Sequence, residues 1–261
     1  MDSKTAERLN ILGNFLGKRD VPELTADTLQ EKYGFRAADV MVLFGGSILA
    51  GGDVLAQAMQ NTIAKKYVIA GGAGHTTDTL RLKMKEAVPG MNTDGMTEAE
   101  LFSGYLQYKY HLQPHFLECR STNCGNNITY LLDLLEEKGV SFNSIILCQD
   151  ASMQLRMDAV LRKYEPDKII INYAAYTAEF VIKDDRLKFK RDTAGMWEPE
   201  RYITLLMGEI PRLSDTNEGY GPQGKKFLAH VDIPEEVYLA FTELKQYYGA
   251  SIRNADPLYA S

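Results

Sequence analysis

The sequence predicts an α/β protein: a Rossmann-like, doubly wound parallel sheet with a smaller helical domain from the N- and C-terminal segments. Short continuous apolar runs recur through the middle of the chain, and such runs are typical of strands buried on both faces of a parallel sheet. Helical segments alternate with these runs in units of about 30 residues, as in right-handed β-α-β crossovers. We therefore predict a Rossmann-like domain over residues 36–180 and a mainly helical cap from residues 1–35 and 181–261.

Two helices are predicted before any strand. Residues 5–16 place leucine and phenylalanine side chains at helical spacing. Residues 25–33 predict a second helix, because Thr25 is a favoured N-terminal cap and Gly34 a favoured C-terminal stop. Both helices precede the alternating region, so we expect them to pack with the C-terminal segment.

The alternating region contains five predicted strands joined by helical segments. The strands cover residues 39–44, 67–70, 115–119, 144–148 and 168–173. The helices cover residues 51–66, two stretches between residues 76 and 111, residues 126–138, and a segment that runs to Arg162. The second of the two stretches opens at Thr97, another favoured cap.

The alternation stops after residue 173. Residues 179–190 predict a hairpin that turns at Asp184 and Asp185. Residues 199–213 and 235–248 predict helices, separated by a segment rich in glycine and polar residues. These elements belong to the predicted cap.

The composition limits the range of partners. The chain has 261 residues, of which 45% are hydrophobic and 25% charged, with a formal net charge of −6 and a pI near 5.4. Such an acidic chain has no general attraction to nucleic acid or to anionic membranes. It lacks an apolar run near the roughly 20 residues of a membrane-spanning helix, and its N-terminus lacks the order of a signal peptide. We expect a cytoplasmic protein with a small-molecule partner, no nucleic-acid partner and no membrane span.

The cysteines and histidines argue against a metal centre. Cys119, Cys124 and Cys148 are odd in number, and their spacing fits neither a disulfide framework nor a zinc site. The chain has only four histidines, and they form no evident cluster in the sequence. We expect reduced thiols and no metal. Cys124 suits either a reactive thiol at a helix N-terminus or a small buried side chain.

Glycine and polar residues follow four of the predicted strands. Because the carboxyl ends of parallel strands meet at one edge of the sheet, ligands of open α/β sheets bind there, near the N-termini of the following helices. The sequence therefore predicts a ligand site at this rim. The rim residues are Gly45, Gly46, Ser47, Gly71, Gly72, Gly74, His75, Ser121, Asn123, Asn127, Gln149 and Asp150.

The rim glycines have two interpretations. Glycine lets the backbone approach a ligand closely and tolerates positive φ, but a glycine pair is also common in a tight turn. Neither glycine loop has the G-x-G-x-x-G spacing, and no GK[ST] follows either pair. Walker-type NTPase and ordinary NAD-binding sites are therefore not favoured.

The charged residues near the rim also have alternative roles. His75 suits a general base, an anion contact or a solvated loop position. Glu98 begins a helix, where an acid is favoured by the helix dipole without any ligand. Glu118 suits a ribose contact or a solvent-facing position, and Asp150 suits a ligand contact or an N-cap. Arg156 lies inside a predicted helix, where a role in the pocket and a surface salt bridge are both open.

The rim composition favours recognition over acid–base turnover. Amides and hydroxyls are abundant there, paired carboxylates are scarce, and no G-x-S-x-G elbow marks a nucleophile. The candidates for catalysis are His75, Asp150 and Arg156. A purely binding role is an open alternative.

Motifs along nearly the whole chain carry a resemblance to a known family. They are Gly45-Gly46, GGAGH at residues 71–75, Glu98 in TEAE, STNCGNN at 121–127, QDASMQLR at 149–156, WEPERY at 197–202, GEIPRL at 208–213 and GYGPQG at 219–224. On these motifs the chain resembles the bacterial YdcF proteins, within the superfamily that also contains the SanA and ElyC envelope proteins. The last three motifs lie outside the common superfamily core and make the resemblance specific.

The chain departs from the broader superfamily pattern, which resembles S-x-N-T-x-E-N followed by T-S-x-x-H-x-x-R. The matching residues are Ser121, Asn123, Asn127 and Arg156. The departures are Cys124 for Thr, Asn126 for Glu, Gln149 for Thr, Asp150 for Ser and Met153 for His. The loss of that Glu and that His argues against carrying over acid–base chemistry from the superfamily.

The resemblance implies a Rossmann-like domain with a smaller helical domain, and S-adenosylmethionine as the ligand. The first hypothesis is therefore a site for an adenosine-type molecule, with close backbone approach at the rim glycines. Asn123 and Asn127 would donate hydrogen bonds, and Glu118 would contact the ribose. The predicted cofactor-binding set is completed by Glu98 and Arg156.

Two other hypotheses stand beside this one. One is a hydrolase or transferase that acts on a phosphorylated or nucleotide-like substrate, with His75, Asp150 and Arg156 around the reacting group. The other is a non-catalytic interaction module. Whether the protein is an enzyme stays open at this point, with an S-adenosylmethionine-using transferase and a hydrolase as the two catalytic options.

Overall fold

The computed structural model describes residues 3–74 and 76–249 and confirms the predicted α/β fold class. Its centre is a five-stranded parallel sheet with the order β3-β2-β1-β4-β5, the arrangement of a Rossmann-like, doubly wound protein. The strands are β1 (Ala38–Phe44), β2 (Ala64–Ala70), β3 (Phe116–Glu118), β4 (Ser144–Cys148) and β5 (Ile169–Asn172).

Helices cover the sheet. They are α1 (Ser3–Leu16), α2 (Ala26–Tyr33), α3 (Ala50–Gln60), α4 (Thr77–Ala87), α5 (Glu98–Tyr110), α6 (Cys124–Glu137), α7 (Gln154–Tyr164), α8 (Pro199–Leu213) and α9 (Glu235–Tyr248). α3 packs with α5 and α6 packs with α7, and β4 is buried along its whole length, as cover on both faces requires. In the described parts of the chain, no helix is both long and apolar enough to cross a membrane.

Short-range signals fix several helix ends as predicted. The side chain of Thr25 caps α2 by accepting the N–H of Thr28 at 3.1 Å, and Gly34 ends this helix with a left-handed φ of 81°. Thr97 caps α5, with a reciprocal hydrogen bond from its N–H to the side chain of Glu100 at 2.8 Å. Each pair forms a capping box, which satisfies backbone N–H groups that the helix itself leaves unpaired.

The predicted helix over residues 51–66 is wrong at its C-terminal end. α3 stops at Gln60, Thr62 adopts a left-handed φ of 52°, and β2 already begins at Ala64. Ala64 lies opposite Ala38, the first residue of β1. Backbone pairing along the whole of β1 therefore extends β2 beyond its apolar run, and this pairing overrides the local helical pattern.

The tail after the sheet agrees with its prediction. The hairpin consists of β6 (Phe180–Lys183) and β7 (Arg186–Phe189), which pair antiparallel. Asp184 and Asp185 form its turn with φ of 54° and 57°, the positive values that a two-residue hairpin turn uses. α8 and α9 occupy the predicted ranges.

The two ends of the chain pack together, as expected. α1 lies against α8, α9 and β6 and buries Leu9, Leu12 and Leu16. Asn10 of α1 holds β6: its Nδ2 donates to the carbonyl of Phe180 at 3.0 Å, and its Oδ1 accepts the N–H of Phe180 at 2.6 Å. Because α1 also contacts α7, the cap adjoins the sheet layers, and the domain boundaries at residues 36 and 180 stay predictions.

Candidate functional site

A cleft opens where the strand order reverses. β2 lies on one side of β1 and β4 on the other, so the loops that follow these strands separate and leave a crevice at their carboxyl ends. The atom-free volume of the cleft, with the open solvent at its mouth included, is about 1070 Å³. The strand-end loops form one wall. α8, together with Tyr220 from the loop after it, forms the other.

Most of the predicted site residues line this cleft. They are Gly45, Gly46, Ser47, Gly71, Gly72, Gly74, Glu98, Ser121, Asn123, Asn127, Gln149, Asp150 and Arg156. Their proximity is now an observation, whereas their role in binding stays a prediction. His75, a candidate for both catalysis and binding, lies outside the described residues.

Glu118 is not among the lining residues. It is buried, with 3% of its surface exposed, and its Oε1 accepts the backbone N–H groups of Arg120 at 2.6 Å and Ser121 at 3.2 Å. The carboxylate thus holds the turn between β3 and α6. Because the loop itself uses the carboxylate, its position gives no support to the predicted ribose contact.

The glycine loops approach each other rather than an open space. A Cβ on Gly45 would lie 2.7 Å from the Cβ of Glu98, and one on Gly72 would lie 2.8 Å from the carbonyl oxygen of Cys119. A Cβ on Gly71 would be 3.1 Å from the Cβ of Glu98. These glycines have no positive φ. The structure therefore explains these glycines by tight loop packing and not by positive φ, and because they also line the cleft, the close approach of a ligand stays a prediction.

Glu98 joins two of these loops. Its backbone N–H donates to the carbonyl of Gly72 at 2.9 Å, and its Oε1 accepts the hydroxyls of Thr77 at 2.9 Å and Thr76 at 3.3 Å. Burial raises the pKa of the Glu98 carboxyl, and the two hydroxyl donors oppose that shift only in part. Glu98 therefore serves the architecture of the rim as well as the lining of the cleft.

Asp150 is surrounded by hydrogen-bond donors. Its Oδ1 accepts the N–H of Ser152 at 2.9 Å, the Ser152 hydroxyl at 2.7 Å and the Tyr176 hydroxyl at 2.8 Å. Its Oδ2 accepts the indole N–H of Trp197 at 3.1 Å. Burial, followed by the charge of Asp150, raises the pKa of Tyr176 well above its ordinary value. A carboxylate held on both oxygens in this way is an anchor for the loops around it rather than a ready general base.

Gln149 connects the loops after β1 and β4. Its Nε2 donates to the carbonyl of Gly45 at 3.2 Å, and its Oε1 accepts the N–H of Asp150 at 2.6 Å. The N–H of Gln149 donates in turn to Oε1 of Gln154 at 2.9 Å. The side chain is almost fully buried, so its amide satisfies backbone groups that would otherwise be unpaired.

The start of α6 reaches the cleft. Asn123 is the N-cap, and its Oδ1 accepts the N–H of Asn126 at 2.9 Å. Ser121 supports the neighbouring loop by accepting the N–H of Gly72 on its Oγ at 3.1 Å. Asn127 also lines the cleft, and its side-chain amide makes no hydrogen bond with a described residue. Of the two asparagines expected to bind a ligand, Asn123 is the structural cap, and Asn127 keeps its side chain for other contacts.

Arg156 pairs with Glu209 across the cleft. Nε of Arg156 on α7 and Oε2 of Glu209 on α8 are 2.8 Å apart, but the angles do not make a hydrogen bond, and neither atom has another partner among the described residues. Burial acts to lower the pKa of Arg156, but its electrostatic interactions with Cys124, Glu209 and Tyr220 outweigh this effect, so the pKa is raised. Of the two roles left open for Arg156, a pocket position and a surface salt bridge, the structure shows a buried pair that lines the cleft.

Lys83 joins the rim of the cleft to the segment before α8. Nζ of Lys83 donates to the carbonyls of Ser47, at 2.8 Å, and Gly195, and it lies 5.0 Å from the centre of the Trp197 ring. Burial lowers the pKa of Lys83, although the charge of Asp150 opposes the shift. The segment before α8 is thus tied to the rim by a cation and by the bond from Trp197 to Asp150.

Sequence reasoning from the strand ends missed the second wall. The lining residues that the strand ends did not indicate are Thr76, Ser152, Met153, Trp197, Leu205, Glu209, Arg212 and Tyr220; Thr122 and Cys124 also line the cleft, in the rim segment that the sequence singled out. Leu205, Glu209 and Arg212 are spaced so that they share one helix face, and Glu209 is an acid within the buried, largely apolar α8. An unexplained charge in a buried helix was the signal available in the sequence. Three of the motifs on which the family resemblance depends also cover this region.

No known family model matches the chain. The assignment to YdcF-like proteins is therefore a prediction from the motifs alone. What the structure establishes is a Rossmann-like protein with a large cleft at the switch point of its sheet.

Proposed function

We propose that the cleft binds an adenosine-type small molecule, S-adenosylmethionine being the first choice, at the carboxyl-terminal rim of the sheet. The observation that carries the proposal is the convergence of four strand-end loops and α8 on one cleft. Doubly wound sheets bind nucleotide-like ligands at this point. The proposed membership of the YdcF-like family implies the same ligand.

The chemistry of the lining supports a ligand without a polyphosphate. The cleft offers amides, hydroxyls, an aromatic ring at each end of α8 and one ion pair, but the chain has no phosphate-binding P-loop. S-adenosylmethionine carries an adenosine, a sulfonium and an amino acid. Its purine matches the aromatic and amide groups, and its small charged end matches a pocket that contains both signs of charge.

Calorimetric titration tests the proposal. We expect S-adenosylmethionine and its demethylated product, S-adenosylhomocysteine, to bind with dissociation constants below roughly 100 μM, or about −5.5 kcal/mol, while NAD and ATP bind more weakly. Asn127→Ala should weaken binding. Asn126→Ala, one position earlier on α6 and outside the lining, is the matched control. A folded protein that binds neither adenosyl compound would overturn the proposal.

A second candidate is a hydrolase or transferase for a phosphorylated or nucleotide-like substrate. The observation in its favour is that a second arginine, Arg212, and the N-terminus of α6 also line the cleft, beside the paired Arg156. Asp150 lines the same cleft but is held by the donors around it. Binding of ATP without binding of S-adenosylmethionine in the same titrations would favour this candidate.

A further inference from the structure

The Arg156–Glu209 pair has unused hydrogen-bonding capacity. The side chains are 15% and 7% exposed, so both charges have lost most of their water. A buried ion pair normally offsets that cost with additional hydrogen bonds. Here neither side chain makes a well-aligned hydrogen bond with any described residue. A polar ligand at this pair would therefore supply hydrogen bonds that the described residues do not provide.

The other acids of the cleft already accept hydrogen bonds from described residues. Asp150 accepts hydrogen bonds on both oxygens, and Glu98 accepts two hydroxyls in a buried position. Gln149 likewise uses its amide between two loops. A ligand that needs charged partners thus finds them at the junction of α7 and α8, not at the strand ends.

The pair also selects the kind of charge that it accepts. Because one arginine faces one glutamate, their net charge is zero, and a simple anion at Arg156 would be repelled by Glu209. A simple cation at Glu209 would be repelled by Arg156 in the same way. A ligand group that carries an ammonium and a carboxylate side by side satisfies both residues with charge-assisted hydrogen bonds.

We infer that Arg156 and Glu209 form the subsite for a zwitterionic α-amino-acid group, with the ligand carboxylate on Arg156 and its ammonium on Glu209. The inference deepens the proposed function and rests on it. It assigns a direction to the ligand: the amino-acid end lies between α7 and α8, and the nucleoside end lies toward the strand-end loops and α6. Glu209 becomes a specificity residue that the strand-end pattern does not reveal.

A comparison of two ligands on the unmodified protein provides the first test. S-Adenosylhomocysteine and 5′-methylthioadenosine share the nucleoside and the thioether, but only the first carries the amino acid. We expect the first to bind at least tenfold more tightly in calorimetric titration. Equal affinities would overturn the inference and leave the proposed function standing. Failure of both ligands to bind would overturn the proposed function and the inference with it.

A double variant without charge at positions 156 and 209 tests whether this pair recognises the amino-acid group. Because removal of one partner leaves an uncompensated buried charge, the main variant is Arg156→Met with Glu209→Gln, and its folding is checked by thermal unfolding. We expect the affinity ratio of the two ligands to fall from tenfold or more to about one. Arg36→Met, which removes a charge from an exposed pair with Asp27, is the control and should keep the ratio.

A second variant covers the case in which the double variant does not fold. Glu209→Gln alone keeps the shape of the side chain and an amide oxygen that can accept a hydrogen bond from Arg156, but it removes the charged partner of the ammonium. It should reduce the ratio of the two affinities at least threefold. A folded variant of either kind that retains the full ratio would overturn the assignment of the subsite.

Discussion

The two walls of the cleft differ in how their polar groups are used. On the strand-end wall, the side chains of Asp150, Gln149 and Glu98 form hydrogen bonds with neighbouring loops. On the α8 wall, Glu209 faces Arg156 without a hydrogen bond between them. The polar residues at the strand ends therefore serve mainly to pack the loops, whereas Arg156 and Glu209 keep side-chain atoms without a hydrogen-bond partner among the described residues.

The physical reason lies in the backbone. Four loops that converge on one rim bring many backbone N–H and C=O groups into a space with little water, and each group needs a partner. Glu118, Ser121, Gln149 and Asp150 all accept backbone N–H groups there. A helix pairs most of its own backbone groups, and Oε2 of Glu209 on α8 accepts no hydrogen bond from a described residue.

The largest expected effect is a loss of stability when the packing of the strand-end loops is disturbed. In Gly72→Ala the new Cβ would lie 2.8 Å from the carbonyl oxygen of Cys119, and we expect a loss of about 3 kcal/mol in the free energy of unfolding, the upper range for overpacking. Gly74→Ala is the control, because its nearest neighbour outside the adjoining residues is 3.6 Å away. Chemical denaturation measures both. Equal stabilities would show that the loops are looser than the structure indicates.

The second prediction concerns the hydrogen bond between Asp150 and Trp197, which joins the strand-end wall to the segment before α8. In Asp150→Asn an amide N–H would face the indole N–H of Trp197 in place of Oδ2, so that hydrogen bond is lost at a cost of about 2 kcal/mol. Trp197 is the single tryptophan of the chain, so its fluorescence reports the change directly, and we expect a red shift. Asp78→Asn, at an exposed surface pair, should leave the emission unchanged. An unshifted spectrum in the Asp150 variant would contradict the anchoring role.

Two asparagines at the start of α6 are expected to differ in the same way, one acting on stability and the other on ligand binding. Asn123→Ala removes the N-cap of α6 and should cost about 1 kcal/mol of stability. Asn127→Ala should change stability by less than about 0.5 kcal/mol, because no described residue bonds to its amide, and should instead weaken the binding of S-adenosylhomocysteine. Thermal unfolding and titration of both variants check the pair. A reversal of the two effects would assign the cap and the ligand contact the other way round.

The smallest effect is a pH dependence at Glu98. Burial raises the pKa of its carboxyl above the ordinary 4.5, so the folded state favours the protonated form. The stability that this gives is fully present below the unfolded pKa and is lost as the pH rises through the folded pKa. The free energy of unfolding relative to Glu98→Gln should therefore fall from pH 4 upward. Parallel stability curves for the two proteins would show that the carboxyl is not desolvated.

The sequence predicted the elements better than it predicted their contacts. The caps at Thr25 and Thr97, the hairpin turn and the bounds of α8 and α9 all agree with the structure, because each depends on neighbouring residues only. The start of β2 was missed, because pairing with β1 decided it. That the rim residues lie together followed from the parallel sheet. The close loop packing that requires glycine at Gly45, Gly71 and Gly72 did not.

By itself the sequence determined the α/β class and the edge of the sheet at which a site forms, since apolar runs, helical spacing and strand direction are local properties. The tertiary structure alone decided which polar groups are already satisfied and which are not. The carboxylate of Glu118 accepts backbone N–H groups of the loop that follows it, and Arg156 on α7 forms an ion pair with Glu209 on α8. Hydrogen-bond satisfaction depends on residues distant in the chain but adjacent in space, and no local pattern encodes that proximity.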